Sequence, residues 1–290
     1  MDSVLVVIAA PGSGAMPQDV AGRLQMLGGA QPHWLAPGEA FEVPTFAQRN
    51  AFKASLHGLA LDIVSVPASN RRKKILLADM DSTMIQQECI DELGVVAGVG
   101  DQIKAVTARA MAGEINFEGA LIERVALLKG LPESVCADVM AKRITYMPGG
   151  KTLVQTMKAH GSYAALVSGG FTAFTVPVAA HLGFNENRAN TLVARNGKLT
   201  GEVALPVLGK DAKVESLHRI CSAHGLSSDD VLAVGDGAND IPMLITAGMG
   251  VALHAKPKVQ EQAKLVINHG DLTALLYLQG YSRDEFVSDI

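Results

Sequence analysis

Three short apolar runs in this chain stop abruptly at polar turns. Ile75-Leu76-Leu77-Ala78 ends at Asp79-Met80-Asp81, Tyr163–Val167 ends at Ser168-Gly169-Gly170, and Val231–Val234 ends at Gly235-Asp236-Gly237. Gly250–Leu253 is a fourth run of the same kind. Continuous apolar runs this short leave no face for water, so each reads as a strand covered on both sides. Helical segments alternate with them. The pattern predicts an α/β fold built on a doubly wound, mostly parallel sheet.

The first 70 residues obey a different rule. A strand (Val4–Ile8), a helix (Gln18–Leu27), extended stretches near Trp34 and at Ala40–Val43, a helix (Ala47–His57) and a strand (Ala60–Val66) follow one another. That is the βαββαβ order of a small ferredoxin-like α+β domain, placed at residues 1–70. Pro67-Ala68-Ser69-Asn70-Arg71-Arg72-Lys73-Lys74 then reads as a polar linker. The larger domain is expected over 71–290. Between its first two strands lies a stretch without strand signals, about 86–143, which predicts a helical cap over the carboxyl end of the sheet. Asn196-Gly197, between Thr191–Arg195 and Lys198–Val203, predicts a hairpin outside the main sheet.

Composition narrows the function. A net charge of −4 with no basic half gives nucleic acid or an anionic membrane no electrostatic footprint. Small molecules are the expected partners. No run approaches the roughly 20 apolar residues of a membrane helix. The start, Met1-Asp2-Ser3, carries an acid where a secretory signal needs basic residues, so a cytoplasmic protein is expected. Three scattered cysteines, Cys89, Cys136 and Cys221, fit a reducing compartment and show no metal spacing.

The chemistry gathers at the ends of the strands. Side chains alternate along a strand, so Asp79 and Asp81 leave on the same side, where open α/β sheets hold their ligands. Two such carboxylates repel unless a cation or a proton separates them. Asp81 could instead cap the next helix, which would account for only one of the pair. Asp236 and Asp240 bring two more acids to the same edge. Oxygen donors without thiol or imidazole select a hard ion such as Mg²⁺. Ser168-Gly169-Gly170, read as a helix start, offers a hydroxyl and open N–H groups to a phosphate. Lys210 and Lys213 compete as the cation near the phosphate, and spacing does not choose between them.

Asp-x-Asp-x-Thr, Ser-Gly-Gly, Lys and Gly-Asp-Gly-x-Asn-Asp, in that order over about Ile75 to Ile267, resemble the haloacid dehalogenase superfamily of phosphotransferases. Asp79-Met80-Asp81-Ser82-Thr83, Glu88-Cys89-Ile90-Asp91-Glu92 and Asn116–Val125 are similar to its phosphoserine phosphatases. The resemblance selects Lys213 over Lys210. It implies Mg²⁺-dependent hydrolysis of L-phosphoserine, the last step of serine biosynthesis, through a phospho-aspartyl intermediate. Asp79 would be the nucleophile and Asp81 the acid and base. Asp79, Asp236 and Asp81, the last through its backbone carbonyl, would hold the metal. Ser168, Gly169, Lys213 and Asn239 would bind the phosphoryl group, and Asp240 would support them. Glu88 would take the substrate ammonium and Arg124 its carboxylate, with Met111 and Phe117 as pocket walls.

Helical spacing places Arg124 in the apolar stripe of Phe117, Leu121 and Leu128, where a guanidinium needs an anion. Glu118, Glu123 or a ligand carboxylate could supply it. Other small amino-acid phosphates, phosphothreonine or phosphohomoserine, are alternative substrates, and a catalytically inactive amino-acid sensor is a further alternative. The N-terminal order loosely resembles regulatory amino-acid-binding modules, which sometimes form homodimers, on fold analogy alone.

Overall fold

The computed structural model describes residues 3–209 and 211–287. Its first part runs β1 (Ser3–Ala9), α1 (Val20–Met26), β2 (His33–Ala36), β3 (Ala40–Pro44), α2 (Arg49–Ser55) and β4 (Leu61–Pro67). The four strands form an antiparallel sheet in the order β2-β3-β1-β4, as a ferredoxin-like module requires. After Ser3, strand β1 is apolar to its end because both of its faces are covered. Leu5, Val7 and Ala9 pack with Val20, Leu24 and Phe52 of the two helices, while Val6 and Ile8 join the core beneath the larger sheet.

The chain then continues β5 (Ile75–Ala78), α3 (Cys89–Ala97), α4 (Gly100–Met111), α5 (Phe117–Ala126), α6 (Val135–Arg143), α7 (Gly150–Ala159), β6 (Tyr163–Phe171), α8 (Thr172–Leu182) and β7 (Glu186–Asn190). A hairpin, β8 (Leu192–Arg195) and β9 (Lys198–Val203), precedes α9 (Asp211–His224), β10 (Val231–Gly235), α10 (Ile241–Thr246), β11 (Met249–Leu253), α11 (Pro257–Gln260), β12 (Leu265–Ile267) and α12 (Ala274–Leu278). Six of these strands pair in parallel in the order β12-β11-β10-β5-β6-β7. The chain leaves β5 in one direction through β6 and β7 and returns on its other side through β10, β11 and β12. Such a reversal opens a crevice at the carboxyl ends of β5 and β10.

Alternation along the buried strands explains the two layers of helices. Leu76, Ala78, Leu166, Leu232 and Val234 face α7, α8 and α12, whereas Ile75, Leu77, Val167, Val231 and Ala233 face α9 and α10. The hairpin turn has Asn196 and Gly197 at φ 53° and 71°, the positive pair a two-residue turn demands. It stands off the main sheet and bonds to the chain after α5, through Gly130 N–H to the Leu199 carbonyl at 2.8 Å.

The two sheets are joined by specific polar contacts as well as by apolar burial. The Asp62 carboxylate on β4 is 5% exposed and accepts N–H bonds from Asn268 and Gly270, both at 2.7 Å, and from His269. Tyr277 donates its hydroxyl to Glu39 at 2.7 Å. Among the described residues no helix is long and apolar enough to cross a membrane.

Candidate active site

Strand β5 stops at Ala78, yet Asp79 still donates its N–H to Val234 of β10 at 3.0 Å. The chain then tightens into a turn, with Met84 N–H bonded to the Met80 carbonyl at 2.8 Å and Ser82 at φ 54°. This fixes Asp79 and Asp81 at the mouth of the crevice. Strand β6 delivers Ser168 and Gly169 on its far side. These residues belong to the extended end of β6 rather than to a helix start, because β6 runs on to Phe171 and α8 begins at Thr172. The Ser168 hydroxyl accepts the Gly170 N–H at 2.9 Å.

Strand β10 ends at Gly235, and the turn after it supplies Asp236, Asn239 and Asp240. Lys213, on the first turn of α9, reaches across with its ammonium 2.7 Å from Asp79 Oδ1 and bonded to Asp240 Oδ1. Burial alone would lower the lysine pKa, but Asp240 and Asp79 outweigh it and raise it. Lys210 lies outside the described residues. Asp240 is fully buried, and its other oxygen accepts the Gly237 N–H at 2.9 Å, so both of its oxygens are engaged.

Asp79, by contrast, remains underserved. Among the described residues its buried Oδ1 has Lys213, in an ion pair of 2.7 Å, as its one close partner. Burial, followed by the charge of Asp240, pushes its carboxyl well above the usual range. Asp236 is raised to about 6, first by burial and then by Asp240 and Glu88. One oxygen from each of Asp79, Asp236 and Asp240 falls within 4.8 Å of the others, a grouping that could hold a metal ion. With Asp240 already committed to Lys213 and Gly237, Asp79 and Asp236 are the carboxylates left for it. A hard divalent cation suits this all-oxygen set.

Asp81 points elsewhere. Its Oδ1 accepts the Cys89 N–H at 3.2 Å, at the amino end of α3, and its carboxyl is raised to about 7. Burial is the main cause and nearby Glu88 the next, while the Cys89 amide pulls the other way. Glu88 is exposed at the N-cap of α3, where it accepts the Ser82 hydroxyl at 2.8 Å.

Helix α5 comes down over this edge. The Phe117 ring lines a recess together with Ser168, Gly169, Lys213 and Asn239. Arg124 is half-buried and bonds only to neutral groups, the Ala120 carbonyl at 3.2 Å and the Thr107 hydroxyl at 3.5 Å. Glu123 is taken by Arg109 at 2.7 Å and Glu118 is exposed. Among the described residues no carboxylate pairs with Arg124, whose pKa is lowered by burial despite Asp91, Glu88 and Asp81 nearby. Met111 is not brought into the recess. At the end of α4 it is 72% exposed.

Two further residues support the site, Thr83, which closes the Asp-x-Asp-x-Thr motif but carried no role there, and Asn190, which the sequence did not mark. Thr83 donates its hydroxyl to Asp236 at 3.1 Å, and Asn190, 2% exposed at the end of β7, donates to the Gly169 carbonyl at 2.9 Å. The Asn190 amide also accepts the Leu208 N–H at 2.7 Å, tying the Ser168-Gly169 strand end to the segment before α9. Nothing local marks Asn190, because its partners are distant in sequence.

Residues 76–244 match the family model of the haloacid dehalogenase-like hydrolases. The chain is 43% identical over 224 residues to a phosphoserine phosphatase of Haemophilus influenzae, covering 77% of this chain and 71% of that one. Against the first three curated relatives it spans between 60% and 71% of their length. Among solved structures, a hydrolase of the same family from Salmonella enterica serovar Typhi superposes with a TM-score of 0.82 at 30% identity, over 96% of this chain and 98% of that one. A phospho-aspartyl intermediate analogue of phosphoserine phosphatase gives a TM-score of 0.66 at 41% identity, over 71% and 98%. With more than half of its length inside the family model and the same parallel sheet carrying the acids, the chain belongs to the haloacid dehalogenase-like hydrolases.

Proposed function

We propose that this chain hydrolyses L-phosphoserine to L-serine and phosphate through a phospho-aspartyl intermediate, as the last step of serine biosynthesis. The observation that carries the reading is a division of labour between two acids. Asp79 is buried and held by Lys213 at the mouth of the crevice, and Asp81 is held near neutrality by burial and Glu88. The phosphoserine phosphatases among its relatives support the substrate.

Asp79 attacks phosphorus, the bond from phosphorus to the serine oxygen breaks, and Asp81 gives that oxygen its proton. Water then attacks the same phosphorus, Asp81 takes the water's proton, and Asp79 leaves as a carboxylate. A group with a pKa of about 7 serves both halves, since it is neither too weak an acid nor too weak a base. Lys213, Ser168 and the Gly169 N–H hold phosphoryl oxygens as charge builds, with Asn239 beside them. Asp240 fixes Lys213 and thereby its direction. Asp79 and Asp236, with the Asp81 carbonyl, would hold Mg²⁺, which when bound neutralises charge on the phosphoryl group. A binding-only sensor would have no use for a proton donor at Asp81.

The amino-acid end is read by opposite charges. Arg124, with no carboxylate paired to it among the described residues, takes the substrate carboxylate, and Glu88 takes the ammonium. Phe117 closes the wall over Gly169. Three buried free thiols suit a reducing cytoplasm.

The test is Mg²⁺-dependent phosphate release from L-phosphoserine beside phosphothreonine and p-nitrophenyl phosphate. A strong preference for phosphoserine that disappears in Asp79→Asn is the expected result. Preference for phosphothreonine would move the assignment to another amino-acid phosphate, and wild-type turnover in Asp79→Asn would end the mechanism.

A further inference from the structure

The carboxyl ends of the strands carry the candidate chemistry, but a second concave feature opens at their amino ends. A cavity of about 250 Å³ lies where the segment before β5 and the starts of β11 and β12 meet strand β4 of the small sheet. Its lining includes Asn70, Arg71, Lys73, Gly248, Lys264 and Leu265. The volume sits below the roughly 300 Å³ at which pockets for drug-sized ligands begin, so it suits a small ion rather than a nucleotide.

Three cationic residues line this space, and among the described residues only Arg71 pairs with a carboxylate at close range. Arg71 pairs with Glu42 at 2.7 Å and gives further bonds to the Leu278 and Tyr277 carbonyls. Lys73 is 7% exposed and donates to the backbone carbonyls of Asn70 and Asp229, both at 2.7 Å. Lys264 donates to the Ala247 carbonyl at 2.6 Å. Among the described residues neither lysine has a carboxylate within ion-pair distance. The Asp229 and Asp230 charges act on Lys73 only from farther away, and the Asp230 carboxylate is already bonded to Ser227. Burial, opposed by those two acids and aided by repulsion from Lys264, lowers the Lys73 pKa.

Lys73 and Lys264 line the same cavity and repel each other, and an anion bound between two such ammonium groups relieves that repulsion. Lysine is a compact point charge that suits tetrahedral oxyanions, and the planar fork of Arg71 that would favour a carboxylate is already occupied. We propose that this cavity is a second anion site, selective for a small phosphate dianion, at the edge of the sheet opposite the candidate catalytic centre. The inference does not rest on the proposed reaction.

The full-length protein, free of divalent metal, is titrated with sodium phosphate against sodium chloride of equal ionic strength, and backbone amides are followed by two-dimensional ¹H–¹⁵N NMR. Saturable shifts at Asn70, Gly248 and Leu265 are expected. Lys264 is exposed, so Lys264→Gln should fold normally; losing one charge-assisted bond should weaken phosphate at this site by about tenfold or more. Lys264→Arg should retain binding. Shifts confined to Ser168 and Gly169 would overturn the proposal, as would undiminished affinity in Lys264→Gln. Succinate binding there as tightly as phosphate would overturn the assigned selectivity.

Discussion

Gly170 and Asp81 stand so close that a Cβ on the glycine would lie 2.7 Å from Asp81 Oδ2. The same Cβ would be 3.1 Å from the Ser168 hydroxyl. Neither neighbour is a slack chain end, since Asp81 is tethered to the Cys89 amide and Ser168 to the Gly170 amide. Gly170→Ala should therefore displace the Asp81 carboxylate and lower kcat on phosphoserine by about ten- to a hundredfold, the cost of a misplaced catalytic group. The melting temperature should hardly change. Wild-type kcat in this variant would mean that Asp81 needs no fixed position.

Glu88 is the second cause, after burial, of the high Asp81 pKa. Glu88→Gln removes that negative charge, so Asp81 should lose its proton below the present value of about 7. As the acid, Asp81 must be protonated, so activity falls as pH rises through its pKa. The alkaline limb of the kcat profile should move to lower pH in the variant. An unmoved limb would separate Asp81 from that ionisation.

Arg124 should show its role in the choice of substrate. Arg124→Ala should cut kcat/KM for phosphoserine by about tenfold or more, the value of a charge-assisted hydrogen bond, and spare p-nitrophenyl phosphate. Equal losses on both substrates would make the residue structural.

Lys213 lies between Asp79 and Asp240, both buried. Removing one member of a buried ion network leaves the others uncompensated, at a cost of about 3–5 kcal/mol. Lys213→Met should lose that much stability in urea unfolding of the metal-free protein and lose turnover as well. A stability equal to wild type would show that Lys213 does not hold the two carboxylates in place.

Asp62 gives a prediction about stability alone. Its carboxylate satisfies three successive N–H groups between β12 and α12, beside the edge strand of the sheet and three strands over from β5. Asp62→Ala would leave the buried Gly270 N–H unpaired and free the more exposed Asn268 and His269 donors, costing about 1–3 kcal/mol. Thermal unfolding should fall by several degrees with kcat on phosphoserine unchanged at 25 °C. An unchanged melting temperature would mean that the two sheets are held by apolar contact only.

Local sequence determined much of this molecule. Continuous apolar runs specified β5, β6, β10 and β11, the Asn196-Gly197 pair specified its hairpin, and the βαββαβ order of the small sheet was readable from periodicity. Each of those features is encoded by residues near one another in the chain. Strand β7 was not readable, because Glu186-Asn187-Arg188-Ala189-Asn190 has the composition of a loop and becomes a strand only by pairing with β6 at the edge of the sheet. The extension of β6 through Ser168 to Phe171 has the same origin.

The candidate site divides along the same line. Asp79, Asp81 and Asp236 announce themselves because each follows the end of a strand, and Ser168 because the apolar run of β6 stops there; a parallel sheet brings such positions to one edge. Which charge meets which was a tertiary decision. Lys213 settles between Asp79 and Asp240, Glu123 goes to Arg109 and leaves Arg124 unpaired, Asn190 holds Gly169, and Met111 turns to solvent. Sequence fixes where a carboxylate leaves its strand, whereas its neutralising partner depends on distances that exist only after the strands have met.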